Sequence, residues 1–118
     1  MKKSKKKTSK KTLMGIYRRP NMDPKIKYYE SLAEIHTRLG SVPLSLAEID
    51  GNMYVISRAD AKQNGEPRNM YHTVTTDEIS YTRDFHGDVV IIGYNPDTEK
   101  VMSLTKNQIN RIMTAPRN

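Results

Sequence analysis

Short stretches in which hydrophobic and polar residues alternate run along most of the chain, and turn residues separate them. This pattern predicts β-strands joined as hairpins. The predicted hairpins pair residues 12–19 with 25–29, 42–49 with 53–57, and 89–94 with 100–103. Their turns fall at sequences rich in proline, asparagine, aspartate and glycine, which favour tight reversals of the chain.

Two helices are predicted from a shared capping motif, in which a hydroxyl residue is followed three positions later by Glu or Gln. Ser31 and Glu34 begin a helix that runs to Leu39. Thr105 and Gln108 begin a terminal helix. Each helix carries an apolar stripe that can face a core. The stripes consist of Leu32, Ile35 and Leu39 in the first helix, and of Ile109, Ile112 and Met113 in the second.

The pattern is weaker between the second and third hairpins. Residues 58–73 are polar and rich in turn residues, so we expect a long ordered loop, while residues 76–84 favour neither helix nor strand. The order of elements predicts an α+β fold for residues 12–118 as a single domain. We expect an antiparallel sheet built of hairpins, with the two helices packed on one face.

Charge is concentrated at the start of the chain. The 118 residues carry a formal net charge of +7. Of the 20 basic residues, seven are lysines within residues 1–11, which leaves 13 to balance the 13 acidic residues. These seven are Lys2, Lys3, Lys5, Lys6, Lys7, Lys10 and Lys11. A segment of this composition is expected to be a disordered tail that contacts RNA or DNA electrostatically, or simply a solubilising arm.

Several classes of protein are excluded by composition. The chain has no cysteine, which excludes disulfides, thiolate metal sites and a cysteine nucleophile. Its longest aliphatic run, residues 89–92, is far shorter than the roughly 18 apolar residues of a membrane span. The common nucleotide-binding, hydrolase and zinc-protease motifs do not occur. We therefore expect a cytoplasmic, non-enzymatic protein without a cofactor or a membrane partner.

A family resemblance rests on four segments of the sequence. They are Ser31-Leu32-Ala33-Glu34, Gly65-Glu66-Pro67-Arg68-Asn69, His86-Gly87-Asp88-Val89-Val90-Ile91-Ile92-Gly93 and Ser103-Leu104-Thr105. Over residues 12–114 the chain resembles a family of small bacteriophage and conjugative-element proteins, catalogued as a domain of unknown function. It departs from that family at Glu66 and Arg68, where an apolar residue and a second proline are usual, and in its lysine tail. The resemblance implies a mobile-element accessory protein in a bacterial host, of a kind that often counters or redirects host machinery.

One short polar run could carry metal chemistry. Asp84, His86 and Asp88 lie at every second position, and an extended chain would place all three on one side, where they could bind a divalent cation. The simpler interpretation is the polar start of a strand, with Phe85 facing the core and Gly87 forming a bulge. We expect no metal site here.

Two sets of residues are candidates for binding. Arg18, Arg19, Lys25 and Lys27 extend the basic character into the first hairpin and would form one positive strip with the tail if they are exposed together. The second set lies in the expected loop and consists of Pro67, Arg68, Asn69, Tyr71 and His72.

The function expected from these features is binding. The body would recognise a macromolecular partner, such as a host protein or a ribonucleoprotein defence complex that it inhibits, and the tail would contact nucleic acid. The alternative is a small-ligand-binding or sequestering protein that uses the loop at 58–73. A dimer formed through short edge strands remains an open alternative.

Overall fold

The computed structural model describes residues 12–114; the predicted tail, residues 1–11, lies outside the described residues, as do residues 115–118. The described chain folds into eight strands and two helices. In chain order these are β1 (Leu13–Arg18), β2 (Lys25–Tyr29), α1 (Leu32–Arg38), β3 (Leu44–Asp50), β4 (Met53–Arg58), β5 (Arg68–Thr75), β6 (Ser80–His86), β7 (Val89–Asn95), β8 (Lys100–Met102) and α2 (Lys106–Thr114).

Six strands form the main sheet, in the order β2-β1-β7-β4-β3, with β8 beside the end of β7. All three predicted hairpins are present in it, and every pairing is antiparallel. β7 is the central strand. Ile91 in β7 pairs with Ile16 of β1 on one edge and with Val55 of β4 on the other. β8 continues the β1 edge by pairing with residues 93–95.

β7 supplies side chains to both faces of the main sheet, because successive residues of a strand point to opposite sides. Val89 and Ile91 belong to one buried cluster, and Val90 and Ile92 belong to another. We call the side of Val89 and Ile91 the open face and the side of Val90 and Ile92 the closed face. Each face is apolar and therefore needs its own cover.

The two helices cover opposite faces of the sheet. Ile35 and Leu39, in and just after α1, pack in the closed-face cluster with Ile56. Leu104, just before α2, and Ile109 within it pack in the open-face cluster. The expected α+β class is confirmed, whereas the expectation that both helices share one face is wrong. Neither helix within residues 12–114 is long and apolar enough to cross a membrane.

Residues 58–73 do not form one long loop. β5 begins at Arg68 and pairs with β6 in a separate two-stranded antiparallel sheet, which we call the ribbon. Threonines face each other across it, and the hydroxyl oxygens of Thr73 and Thr82 are 3.2 Å apart. At its base, Phe85 is buried in the open-face cluster and Met70 packs against that cluster. The ribbon therefore shares the open face with α2.

The pairing of β7 with β8 depends on a glycine. A β-carbon added at Gly93 would lie 2.8 Å from the carbonyl oxygen of Met102, closer than real β-carbons approach such an atom. Gly93 also pairs with Met53 on the other edge of β7. Two neighbouring strands therefore flank this position of β7.

Candidate binding cleft

A cleft of about 820 Å³ lies on the open face, between α2 and the ribbon. Its floor is apolar and is formed by Met53 of β4 and Ile91 of β7, both almost fully buried. Residues of α2 and β5 line its two sides, and the turn between β1 and β2 contributes Pro24. The cleft exists because the two elements that cover the open face leave part of the sheet uncovered between them.

The α2 side of the cleft is only partly buried. Ile109 packs into the core, but Ile112 is half-buried, Met113 is 40% exposed, and both line the cleft. The helix begins as predicted, because the Thr105 hydroxyl accepts a hydrogen bond from the amide of Gln108 at 3.1 Å. The Gln108 side chain accepts one from the amide of Thr105 at 2.8 Å. This capping box fixes the direction of the helix and so the position of its apolar side chains above the cleft.

The β5 side combines an apolar and two aromatic side chains. Met70, Tyr71 and His72 are consecutive, and all three line the cleft. The guanidinium carbon of Arg68 lies 5.4 Å from the centre of the Tyr71 ring, within the range of a cation–π contact. This contact orients the Tyr71 ring, which is 37% exposed.

His72 is a titratable group of the cleft with a shifted pKa. Burial, together with the positive charge of Arg83, lowers the pKa of the imidazole below its usual 6.5, while Asp50 acts in the opposite direction. The Nδ1 atom of His72 is buried and has no hydrogen-bond partner among the described residues. Both features favour the neutral imidazole, which suits an apolar cleft.

The charged residues of the cleft carry both signs. Arg111 of α2 forms an ion pair with Asp50 at the end of β3. Nε of Arg18 donates a hydrogen bond to the carbonyl oxygen of Met22 at 3.3 Å. Asp23 contributes a further negative charge to the lining. The cleft is therefore an apolar surface with a mixed polar border, and not a concentration of one charge.

Asn69 anchors the ribbon to the main sheet. Its side chain is 3% exposed, and its Nδ2 atom donates to the carbonyl oxygens of Arg18 and Gly87, each at 2.8 Å. One amide therefore joins the start of β5 to the end of β1 and to the turn before β7. The position of Tyr71 and His72 beside the cleft depends on this anchor.

The predicted basic residues do not form one strip in the described part of the chain. Arg18 lines the cleft on the open face. Lys25 and Lys27 point to the closed-face side, because their register partners are Tyr17 and Gly15 and not the open-face residues of β1. Arg19 is exposed, and its Nε lies 3.9 Å from an oxygen of Asp88. The seven tail lysines lie outside the described residues.

The three candidate metal ligands have separate partners. Asp84 lies 3.9 Å from Arg68, and Nδ1 of His86 lies 2.9 Å from the carbonyl oxygen of Glu66. Asp88 accepts a hydrogen bond from the Tyr17 hydroxyl at 2.7 Å. Among residues 12–114, no group of three or more His, Cys, Asp or Glu could hold a metal ion.

The chain does not stay extended through this candidate metal site. Gly87 separates β6 from β7 with a φ of 72°, so the regular alternation that would align Asp84, His86 and Asp88 is broken there. Phe85 is buried, in agreement with the simpler interpretation of this segment.

The five predicted loop residues separate into three environments. Tyr71 and His72 line the cleft, Asn69 is the buried anchor, and Arg68 is exposed beside Asp84. Pro67 is exposed, and its carbonyl oxygen accepts a hydrogen bond from the amide of Gly87 at 2.9 Å. The structure thus brings only two of the five into the cleft.

Sequence patterns do not reveal the opposite wall, formed by Arg111, Ile112 and Met113, or the methionines of the floor and ribbon. No local pattern links these residues to β5, which lies about 40 positions earlier in the chain. The ribbon itself had a signal, since threonine, tyrosine and valine are frequent in residues 71–75 and favour strands.

No protein-family model, no curated protein and no solved structure matches this chain. The resemblance to a mobile-element family therefore stays a prediction based on the four sequence segments.

Proposed function

We propose that this is a non-enzymatic binding protein that holds an apolar segment of a macromolecular partner in the cleft. The observation that carries the proposal is that the face that holds the cleft leaves further apolar side chains exposed. Ile26 and Tyr28 pair with Ile16 and Met14 of β1, so they lie on the open face. They are 43% and 53% exposed. Exposed apolar patches of this kind are typical of interaction sites on folded proteins.

The composition of the cleft supports a protein partner. Met53, Met70 and Met113 line it, and methionine side chains adapt to apolar surfaces of varied shape. The polar border, with Arg111 paired to Asp50, supplies groups that orient a bound segment. A small ligand is the second candidate, because the volume of the cleft falls in the range of about 300–1,000 Å³ that such ligands occupy.

The test uses peptides selected from a random library on the immobilised full chain. We expect the selected peptides to carry apolar anchors and to lose about tenfold or more in affinity for Met113→Lys, because the lysine places a charge in the apolar cleft. The matched control is Ile79→Lys, which also replaces an apolar side chain by lysine, at a residue that is 58% exposed and lies outside the cleft. Equal affinity for both variants contradicts the proposal. A nucleotide or other small molecule that raises the melting temperature and displaces the peptides favours the second candidate.

The proposal extends to the tail. Seven lysines within residues 1–11 suit attachment to nucleic acid, and the partner would then be a host protein or ribonucleoprotein complex, in line with the family resemblance. Replacement of all seven lysines by glutamine in the full chain tests this. We expect the slope of log K against log salt for duplex DNA to fall by up to about six, since each neutralised phosphate contributes about 0.9. An unchanged slope contradicts the role of the tail.

A further inference from the structure

The outer edge of β2 is an unpaired strand edge with an unusual distribution of side chains. Among the described strands, β2 ends the main sheet and pairs only with β1. Lys25, Ile26, Lys27 and Tyr28 are all exposed, and only Tyr29 is buried. Alternate backbone amide and carbonyl groups of such a strand point away from the sheet and can pair with another strand.

The opposite edge of the main sheet, formed by β3, is less accessible to an added strand. There the Arg83 side chain, from the ribbon, donates a hydrogen bond to the carbonyl oxygen of Glu48 in β3. A strand added along β3 would compete with this side chain. The contrast leaves β2 as the better edge for a partner.

The side chains of β2 divide by chemistry between the two faces. Lys25 and Lys27 lie on the closed-face side, and Ile26 and Tyr28 lie on the open face. No acidic residue occurs within β2. The edge therefore combines two basic positions and two exposed apolar positions.

We propose that β2 binds an extended acidic segment of a partner protein as an additional strand of the main sheet. Main-chain hydrogen bonds along the edge hold the segment, and alternate side chains give specificity. Acidic residues of the segment lie beside Lys25 and Lys27, and apolar residues lie beside Ile26 and Tyr28. This interaction does not depend on occupancy of the cleft.

A second copy of this chain fits the edge poorly. If two β2 strands paired antiparallel around Ile26 or around Lys27, the lysines of both copies would meet on the same face. Like charges on directly opposite positions destabilise a pair of strands. The charge of the edge therefore favours an acidic partner over self-association.

Lysines on an edge strand also protect proteins against unwanted strand pairing. A purely protective role predicts that no alternating peptide binds specifically. The experiment must therefore separate strand addition from general attraction of acidic peptides to a basic chain.

The probe is a fluorescent synthetic peptide in which glutamate and valine alternate over about ten residues. Its binding to the full chain is measured by anisotropy at about 0.15 M salt. A block peptide of the same composition, with all glutamates before all valines, is the charge-matched control. We expect the alternating peptide to bind about tenfold or more tightly than the block peptide, because only alternation places each residue type on one face.

The Lys25→Glu/Lys27→Glu variant is expected to lose about tenfold or more in affinity for this peptide and to gain affinity for an alternating lysine–valine peptide. The matched control is Lys62→Glu/Lys100→Glu, which changes the net charge by the same amount at exposed positions away from β2. Met113→Lys should leave peptide affinity unchanged, which separates this site from the cleft.

Backbone pairing is tested with two peptides, one N-methylated at every valine and the other at every glutamate. One of them should lose binding, because methylation removes the amide donors on one edge of the peptide. Strand addition at β2 is overturned if the alternating peptide does not bind, if the block peptide binds equally, if both double variants lose affinity alike, or if neither methylated peptide is weakened.

Discussion

The two faces of the main sheet are made by the same strands but have different covers. On the closed face, Ile35 and Leu39 pack on Ile56, Val90 and Ile92, and all five are buried. On the open face, α2 and the ribbon divide the cover and leave the cleft between them. The strands present apolar residues to both sides. The cleft therefore arises from incomplete cover and not from a special sequence in the sheet.

The largest expected difference between the faces concerns core truncation. Ile56→Ala removes a fully buried side chain from the closed face and should lower the free energy of unfolding by about 2–5 kcal/mol. Met113→Ala, on the border of the cleft, should cost less than about 1 kcal/mol, because its side chain already contacts water. Urea denaturation of both variants measures the contrast. Equal losses would mean that the open face is as tightly packed as the closed one.

The anchor of the ribbon provides the next test. Asn69→Ala removes the donor to the carbonyls of Arg18 and Gly87 and should destabilise the protein by about 1–3 kcal/mol. We expect amide hydrogen exchange to accelerate more in β5 and β6 than in α1, because the ribbon loses its attachment while the closed face keeps its cover. Glu78→Ala, in the exposed loop that joins β5 and β6, is the control and should change stability by less than about 0.5 kcal/mol. A uniform acceleration across the domain would contradict the local role of Asn69.

The smallest expected effect is a difference between the two faces in how the free energy of unfolding depends on pH. Burial raises the pKa of Tyr29, on the closed face, to about 12 from 10.0, and Arg38 partly opposes this. The folded state thus favours the neutral phenol, so its contribution to stability is complete below pH 10 and is lost as the pH rises towards 12. Tyr29→Phe should flatten this alkaline loss.

On the open face the pKa of His72 is shifted in the opposite sense, below its usual value. The lowered pKa of His72 favours neutral imidazole in the folded state. Its contribution is present above the unfolded value of about 6.5 and is lost as the pH falls through the folded pKa. The free energy of unfolding of the protein should therefore fall in acid relative to that of His72→Gln, when both are measured against pH. Parallel curves would show that His72 titrates alike in the folded and unfolded chain.

Local signals were sufficient for the hairpins and both helices. Ser31 accepts a hydrogen bond from the amide of Glu34 at 3.2 Å, as the capping motif predicts. The carboxylate of Glu34 accepts in return from the amide of Glu30, one residue before the position expected for a capping box. Such features depend on neighbours in sequence, so a single chain reveals them.

The features that local signals do not predict depend on contacts between residues that are far apart in the sequence. Alternation shows that Val89 and Val90 point to opposite sides, but it does not tell which helix covers each side. The ribbon was missed because its outward residues, such as Thr73 and Thr82, are polar on a surface that faces water. The cleft could not be predicted because its two walls, around His72 and Met113, meet only in the folded protein.

Gly93 in β7 has a consequence for the register in which β7 pairs with its neighbouring strands. Residues 89–92 are apolar throughout, so a shift of one position would still place valine or isoleucine on both faces, and hydrophobicity alone would barely oppose it. Such a shift would bring Ile92 or Tyr94 to the place where Met102 leaves no room for a β-carbon. Gly93 thus excludes, by steric clash, a register of β7 that is shifted by one residue. Insertions and deletions in this strand should be tolerated less than substitutions among its aliphatic residues.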